Sequence, residues 1–376
     1  MVKRYHAIDA IRGFCLINIL INHLTVGVLH ALSPSNLGFS DSAELFVFLA
    51  GVSTYLAYGK LSFRLAFAQL WRRAAKLYRY NLVVILAALI SLLALDKLAD
   101  QPLLDDLFLR AITATDKLTV LWHLATLRQS VGYSMVLRLY VLMMLVAPGL
   151  LWLAARRWWL CLPPAILVWL LAGHFGLAAR DSLTGVRLTM TLAPWLLIFT
   201  CGLALGAGMA QGVRMPRSPF LLGASLALIA GYLVLLQVLP LWPEGQAWAA
   251  SRDEHFWLGA SKIHESPLRV LHALSLVYVM VAYAQAPVIR LIHRVGPDNV
   301  LCRLGRRSLP VFTFGAILAL PANEILNQAN LAYGPGSWPA IGLELAFVAI
   351  GVAAMVVIAD CRWRWPTASR WVSSPA

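Results

Sequence analysis

Charged residues are scarce in this chain. They make up 13% of its 376 residues, against roughly 25% in soluble globular proteins. Hydrophobic residues account for 60%, and the mean hydropathy is +0.73. A soluble domain cannot bury so much apolar surface, because the surface of a folded chain falls only slowly relative to its volume. The composition therefore excludes ordinary soluble enzymes and predicts a protein that uses lipid as its solvent.

The chain also lacks the motifs of metal and nucleotide chemistry. Its five cysteines include no Cys-x-x-Cys pair, and no His/Cys cluster has zinc spacing. Glycine-rich nucleotide loops, a serine nucleophile elbow and His-Glu-x-x-His are absent too. Every cysteine falls in a predicted span or at its predicted cytoplasmic end. We therefore expect neither disulfides nor a bound metal.

Long apolar runs are abundant instead. A membrane-spanning helix needs about 20 apolar residues. Apolar runs bounded by polar or helix-breaking residues give ten candidate spans, at 10–30, 43–59, 78–96, 132–154, 158–177, 189–210, 219–240, 268–288, 308–327 and 339–359. No repeat or linker divides the chain, so we expect one domain over residues 1–376. The predicted fold is all-α, a polytopic membrane protein with about 10 transmembrane helices.

The distribution of charge predicts the orientation. With the N-terminus in the cytoplasm, most of the 31 Lys and Arg residues fall in cytoplasmic segments, as the positive-inside rule expects. Most acidic residues then fall outside, and the C-terminus is cytoplasmic. The net charge of +14 is therefore mainly a topology signal and an attraction to anionic membrane lipid. We expect no nucleic-acid partner, and the oligomeric state stays open.

Three ionisable residues of the first predicted helix stand out: Asp9 just before the span, and Arg12 and His23 within it. Such groups are costly in lipid and mark candidate functional sites. On a continuous helix Arg12 and His23 share one face, with Asp9 close to it. His23 would then lie near the middle of the membrane, where a neutral imidazole can act as a general base toward a hydroxyl. The alternative is that His23 only forms a hydrogen bond between helices.

Asp41 and Glu44 stand at the outer start of the second span. They suit the N-terminal cap of that helix, where acidic side chains are stabilising. The functional alternative is that they face a cavity beside His23 and that one of them orients its imidazole. The residues alone favour neither interpretation.

Two further groups suggest binding sites. The basic stretch 60–80 is either an interfacial helix on anionic lipid or a clamp for a polyanionic donor such as coenzyme A. Its candidate donor-binding residues are Arg72, Arg73, Lys76 and Arg79. At the outer end of the eighth span, Lys262, Arg269 and His272 either bind a polar ligand from outside or cap the span.

Acidic residues in the last two spans support a rival hypothesis. Glu324 and Glu344 could join His23 in the proton relay of a transporter or flippase. Against it, the sequence shows no inverted repeat and no matching pair of broken helices. A third interpretation is a non-catalytic membrane subunit.

Four blocks in order resemble the OpgC-type membrane proteins of the acyltransferase-3 superfamily. The first is Asp9-Ala-Ile-Arg-Gly13 with Asn22-His23, which matches an Arg, ten residues, then His. The others are GFSDSAELFVFLAG at 38–51, SPLRVLHALSLVY at 266–278 and GRRSLPVFTFG at 305–315. The resemblance extends over nearly the whole chain.

The resemblance implies a bacterial inner-membrane enzyme with ten or so spans. It would move an acyl group, succinyl in the named members, from cytoplasmic acyl-CoA to a periplasmic glycan such as an osmoregulated periplasmic glucan. His23 would be the catalytic base, and Arg12 would belong to the same motif. One departure concerns the cytoplasmic pattern Arg-x-x-Arg, where this chain has Arg73-Ala-Ala-Lys76.

Overall fold

The computed structural model describes residues 6–98, 103–104 and 106–361. Part of the predicted orientation rests on terminal basic residues, and these lie outside the described part: Lys3, Arg4, Arg362, Arg364 and Arg370.

The described residues form α-helices, two short 3-10 segments and a single isolated bridge between Arg180 and Arg187. The helices are α1 (His6–Asn22), α2 (Val28–Ala31), α3 (Pro34–Leu37), α4 (Ser42–Tyr58), α5 (Phe63–Asp96), α6 (Asp106–Ala114), α7 (Lys117–Ala125), α8 (Met135–Arg156), α9 (Leu162–His174), α10 (Leu192–Ala210), α11 (Pro219–Val238), α12 (Pro243–Ser251), α13 (Pro267–Ala282), α14 (Pro287–His293), α15 (Val300–Arg306), α16 (Ser308–Tyr333) and α17 (Trp338–Asp360). The 3-10 segments are Gly132–Ser134 and Leu239–Leu241. The all-α prediction is thus confirmed for the described residues.

Each predicted span contains a helix, but the helices differ in length. Five of the described helical stretches are long and apolar enough to cross a membrane: Phe63–Asp96, Gly132–Arg156, Leu192–Ala210, Ser308–Tyr333 and Trp338–Asp360. Shorter apolar helices occupy Ser42–Tyr58, Leu162–His174, Pro219–Leu235 and Pro267–Ala282. These helices identify a membrane protein.

The predicted continuous helix over 10–30 is wrong, because α1 ends at Asn22. A turn follows, and the next helix, α2, has only four residues. The carboxylate of Glu344 on α17 accepts hydrogen bonds from the backbone N–H groups of Val28 and Leu29, both at 2.9 Å. Tertiary contacts therefore satisfy backbone groups that a continuous helix would have paired internally. His23 accordingly lies beyond the helix and not on one of its faces.

The basic stretch 60–80 is not a separate interfacial helix. It is the first half of α5, a single helix of 34 residues that extends about 51 Å at 1.5 Å per residue. The segment contains neither proline nor glycine, so nothing in it interrupts the helical hydrogen bonds. The basic residues therefore continue directly into an apolar span.

Glycines bring the helices that carry the site into close contact. A Cβ atom on Gly51 of α4 would lie 2.0 Å from the backbone oxygen of Phe199 on α10. A Cβ atom on Gly305 of α15 would lie 1.8 Å from the backbone oxygen of Asp9 on α1. Small residues allow this approach of helix backbones within a membrane. The start of α1 is thereby fixed against α15. We call this end of the molecule the basic end, because Arg303, Arg306 and Arg307 lie there.

Candidate functional site

His23 is held in place by contacts with the end of α1 and with Tyr133. Its backbone N–H donates to the carbonyl oxygen of Ile19 at 3.1 Å, and its ring stacks on Tyr133 with centroids 3.6 Å apart and planes 12° apart. The Tyr133 hydroxyl donates to the His23 backbone oxygen at 2.5 Å. The imidazole Nδ1 is buried and has no hydrogen-bond partner among the described residues. A histidine with a fixed ring and a ring nitrogen still available is suited to general base chemistry.

The imidazole lines an internal cavity of about 190 Å³, which we call the His23 cavity. Asp41 and Lys262 line it too, together with Asn22, His30, Phe46 and Tyr133. The structure therefore brings Asp41 and Lys262 to the same cavity as His23. It places Glu44, Arg269 and His272 outside the lining of that cavity.

A network of ion pairs fixes the position of Asp41. Its Oδ2 lies 2.5 Å from Nζ of Lys262, and its Oδ1 accepts a hydrogen bond from the Ala43 N–H at 2.6 Å. Glu44 accepts from the Asp41 N–H at 2.8 Å, which completes a capping box at the start of α4. Burial raises the pKa of Asp41, but Lys262 and Arg269 outweigh burial, so the net shift is downward. The Asp41 carboxylate is therefore strongly favoured as an anion.

Glu44 binds the guanidinium of Arg269. Nε of Arg269 donates to Glu44 Oε1 at 2.7 Å and Nη2 donates to the same oxygen. Both side chains are buried, and Glu265 lies on the other side of Arg269 at 3.9 Å. Burial and the neighbouring Glu44 raise the pKa of Glu265 well above its ordinary value, which favours its neutral form. The cluster thus ties the start of α4 to the start of α13.

His272 contacts the loop before α4 on the side away from His23. Its Nδ1 accepts from the Ser40 N–H at 3.3 Å and lies 2.7 Å from the Ser40 hydroxyl. The ring lines a mainly apolar groove of about 460 Å³ bordered by α1, α4 and α13. His272 therefore fixes the loop that carries Asp41.

A second cavity of about 190 Å³ lies toward the basic end, and we call it the Arg12 cavity. Arg12 donates from Nη2 to the Leu49 carbonyl oxygen at 3.1 Å. Its Nε and the Tyr140 hydroxyl are buried without a hydrogen-bond partner among the described residues, and both residues line this cavity. Asp9 is buried where α1 packs on α15 and does not line it.

Phe46 lines both the Arg12 cavity and the His23 cavity. Its ring contacts Tyr140 edge to face at 5.9 Å and stacks on Phe312 at 6.3 Å. Phe46 on α4 is thus shared by the two cavities, whereas its ring contacts Tyr140 on α8 and Phe312 on α16 line the Arg12 cavity alone. We call these three rings the aromatic partition.

A larger cavity of about 890 Å³ opens beside the Arg12 cavity and shares Arg73, Ser308 and Leu309 with it. We call it the basic cavity, because its lining includes four cationic side chains: Arg73, Lys76, Arg306 and Arg307. Of the predicted donor-binding residues, Arg73 and Lys76 line this cavity. Arg72 and Arg79 are exposed and lie outside its lining.

Sequence reasoning missed several residues of this arrangement. The block at 305–315 contained the signal for Arg306 and Arg307, since two adjacent arginines precede an apolar helix. Tyr133, Tyr140 and Phe46 carried no such signal, because an aromatic residue in an apolar span is usually ordinary packing. Their roles depend on contacts between helices distant in the chain.

Glu324 and Glu344 both accept backbone hydrogen bonds. Glu344 binds the start of α2, as described above, and Glu324 Oε2 accepts from the Leu104 N–H at 3.0 Å. Each carboxylate therefore fixes a loop to its helix. Neither lines the His23 cavity.

These features define a class: a helical membrane protein with neighbouring cavities between its helices, into which ionisable side chains project from a mainly apolar lining. The sequence model of the OpgC protein family matches residues 4–366, so the chain belongs to that family. Membership implies an acyltransferase-type enzyme. No curated protein and no solved structure matches the chain.

Proposed function

We propose that this protein transfers an acyl group, succinyl in the favoured case, from cytoplasmic acyl-CoA to a hydroxyl of a periplasmic glycan. The observation that carries the proposal is the order of the cavities. The His23 cavity adjoins the Arg12 cavity across Phe46, and the Arg12 cavity adjoins the basic cavity. A donor and an acceptor that approach from opposite sides would meet at His23.

The basic cavity suits the phosphates of coenzyme A. Arginine side chains match phosphate oxygens in fork geometry, and Arg73, Arg306 and Arg307 face one space with Lys76. The pantetheine chain of the donor, which ends in the thioester, would then pass through the Arg12 cavity. There Arg12 Nε and the Tyr140 hydroxyl offer donors to its amide and thioester oxygens.

The chemical step is assigned to His23. Its ring nitrogen removes the proton of the acceptor hydroxyl, and the oxygen attacks the thioester carbonyl carbon. The carbon–sulfur bond breaks, and the coenzyme A thiolate takes the proton from the imidazolium. The products are a glycan ester and free coenzyme A. A transient acyl-His intermediate is the alternative route to the same products.

The proposed setting is the bacterial inner membrane, with about ten spans and both termini in the cytoplasm. In this orientation the basic end faces the cytoplasm, where acyl-CoA is made. Attraction between its cationic side chains and anionic lipid supports the same orientation. The domain is proposed to extend over the whole chain.

The test is transfer by the purified protein. Detergent-solubilised protein is incubated with succinyl-CoA and a glucose oligosaccharide, and mass spectrometry follows ester formation. His23→Gln should lower the rate about 10²- to 10⁴-fold, the usual contribution of a general base. His174→Gln is the matched control, because His174 is an exposed histidine that lines none of these cavities.

Full activity in His23→Gln protein would overturn the assigned base. The transporter hypothesis predicts ion-coupled uptake of substrate into vesicles and no ester. It also predicts that Glu324→Gln and Glu344→Gln abolish that uptake. The hydrogen bonds of both carboxylates to backbone N–H groups favour a structural role instead.

A further inference from the structure

A cavity of about 480 Å³ with a mixed polar and apolar lining adjoins the His23 cavity and shares no residue with the Arg12 cavity or the basic cavity. The two cavities share Tyr133, Met135 and Thr189. The volume lies within the range of about 300–1,000 Å³ typical of small-molecule sites. A ligand in this cavity would therefore lie next to the cavity that His23 lines.

Residues from separate parts of the chain converge on this cavity. Asp181, Thr184 and Arg187 come from the loop between α9 and α10, whereas Asn323 and Glu324 come from α16. Their side chains include one cation and two carboxylates. Such a balance does not suit a polyanion, and it suits an uncharged ligand rich in hydroxyl groups.

The polar groups are already held in place. Asp181 Oδ1 accepts from the N–H groups of Leu183 and Thr184 at 3.0 and 2.8 Å, which fixes the loop. Asn323 Nδ2 donates to the Thr25 hydroxyl at 3.1 Å. A carboxylate has about four acceptor sites, so Asp181 can bind a ligand hydroxyl as well as its own loop.

Ser130 supplies an independent indication of a ligand. It lines the cavity, and its hydroxyl is buried without a hydrogen-bond partner among the described residues. Buried polar atoms are nearly always paired in folded proteins. Tyr133 lines the same space and adds an aromatic side chain, a residue type against which sugar rings can pack.

We infer that this cavity binds the acceptor oligosaccharide and presents one of its hydroxyls to His23. The inference rests on the proposed function and adds the location and chemistry of the acceptor site. It assigns acceptor recognition to Asp181, Arg187 and Asn323 in addition to Lys262. Arg269 and His272 hold the loop before α4 and do not contact the acceptor.

Two variants test the assignment. Arg187→Ala removes an exposed side chain that lines the cavity and donates toward Nε2 of His264 at 3.3 Å, and Thr184→Trp fills part of the cavity. Arg187→Ala should raise the KM for a glucose oligosaccharide about tenfold, the effect of losing one hydrogen bond to a charged group. Thr184→Trp should raise the same KM, because the indole occupies space that the acceptor needs. The KM for succinyl-CoA should not change. Arg180→Ala is the matched control, because Arg180 is exposed on the same loop and does not line the cavity.

Binding is measured separately from catalysis, by isothermal titration calorimetry of the oligosaccharide into detergent-solubilised protein. Weaker binding in both variants than in Arg180→Ala supports the site, even if the wild-type protein shows no transfer. In that case the acyltransferase proposal fails and the acceptor site stands. Unchanged oligosaccharide affinity and unchanged acceptor KM in both variants would overturn the inference.

Discussion

At the scale of single residues, the site depends on contacts that fix one imidazole ring. His23 follows α1 and is held by Tyr133, which stacks on its ring and binds its backbone oxygen. The imidazole Nδ1 is buried and forms no hydrogen bond with any described residue. Positioning of this kind determines the angle at which a base meets a hydroxyl.

Tyr133 should therefore act as a positioning residue. In Tyr133→Phe protein the ring stacking remains and only the hydroxyl bond is lost, so we expect a fall in kcat of up to about tenfold. Tyr133→Ala loses both contacts and should lower kcat by about 10²-fold. Steady-state kinetics with varied succinyl-CoA provides the measurement. A variant with altered KM for succinyl-CoA and normal kcat would contradict the positioning role.

Phe46 should restrict the acyl group that reaches His23. Its ring separates the Arg12 cavity from the His23 cavity, so a smaller side chain enlarges the passage. We expect Phe46→Leu protein to accept longer acyl-CoA chains, with a change of about tenfold in the preference over succinyl-CoA. Competition between two acyl-CoA donors measures that preference. Phe175→Leu is the control, since Phe175 is exposed and remote from the partition, and equal preferences in the two variants would refute the role.

At the scale of helices, the ion-pair cluster joins α4 to α13. Arg269 is buried against Glu44, and removal of one partner leaves an uncompensated charge, at a cost of about 3–5 kcal/mol. We expect Arg269→Met to lower the unfolding temperature in detergent much more than the double variant Arg269→Met with Glu44→Gln does. Thermal unfolding of both proteins checks this. Equal destabilisation would show that Arg269 contributes by packing alone.

Asp41 makes the stability of this cluster depend on pH. Its pKa is lowered in the folded state because Lys262 and Arg269 outweigh burial. Its contribution to the free energy of unfolding is therefore present above the unfolded pKa of about 3.9. The contribution is lost as the pH falls through the folded pKa. Asp41→Asn protein should show a smaller loss of stability between about pH 5 and pH 3, measured by unfolding at each pH, and an unchanged acid profile would contradict the assignment.

Features of the fold that depend on neighbouring residues in the chain could be predicted from the sequence. An apolar run is such a feature, and every predicted span contains a helix. The capping box of Asp41 and Glu44 is local as well, and it is present in the structure. The end of α1 at Asn22 was missed, because it depends on Glu344, more than three hundred residues further along the chain. The cost of an ionisable side chain in lipid identified His23 and Arg12 as candidates from the sequence. Which side chains share a cavity with each of them depends on how the helices pack.

At the scale of the whole molecule, the cavities define a direction through the bundle. Four cationic side chains line the large cavity at the basic end, and a cavity whose lining includes Asp181 and Glu324 adjoins the His23 cavity. In the proposed orientation the basic end faces the cytoplasm, as the positive-inside rule expects. The proposal then has donor and acceptor approach from opposite compartments and meet at His23.

Labelling of cysteines tests this direction. Cys361 is exposed at the end of α17, and the other four described cysteines are buried or half-buried. Ser182 is exposed in the loop between α9 and α10. A membrane-impermeant maleimide should label Ser182→Cys protein carrying Cys361→Ser in intact spheroplasts, because that loop faces the periplasm in the proposed orientation. Wild-type Cys361 should react only after the membrane is permeabilised. Labelling of Cys361 in intact spheroplasts would place the basic end outside, where acyl-CoA is absent, and the donor route through Arg73 and Arg12 would fail.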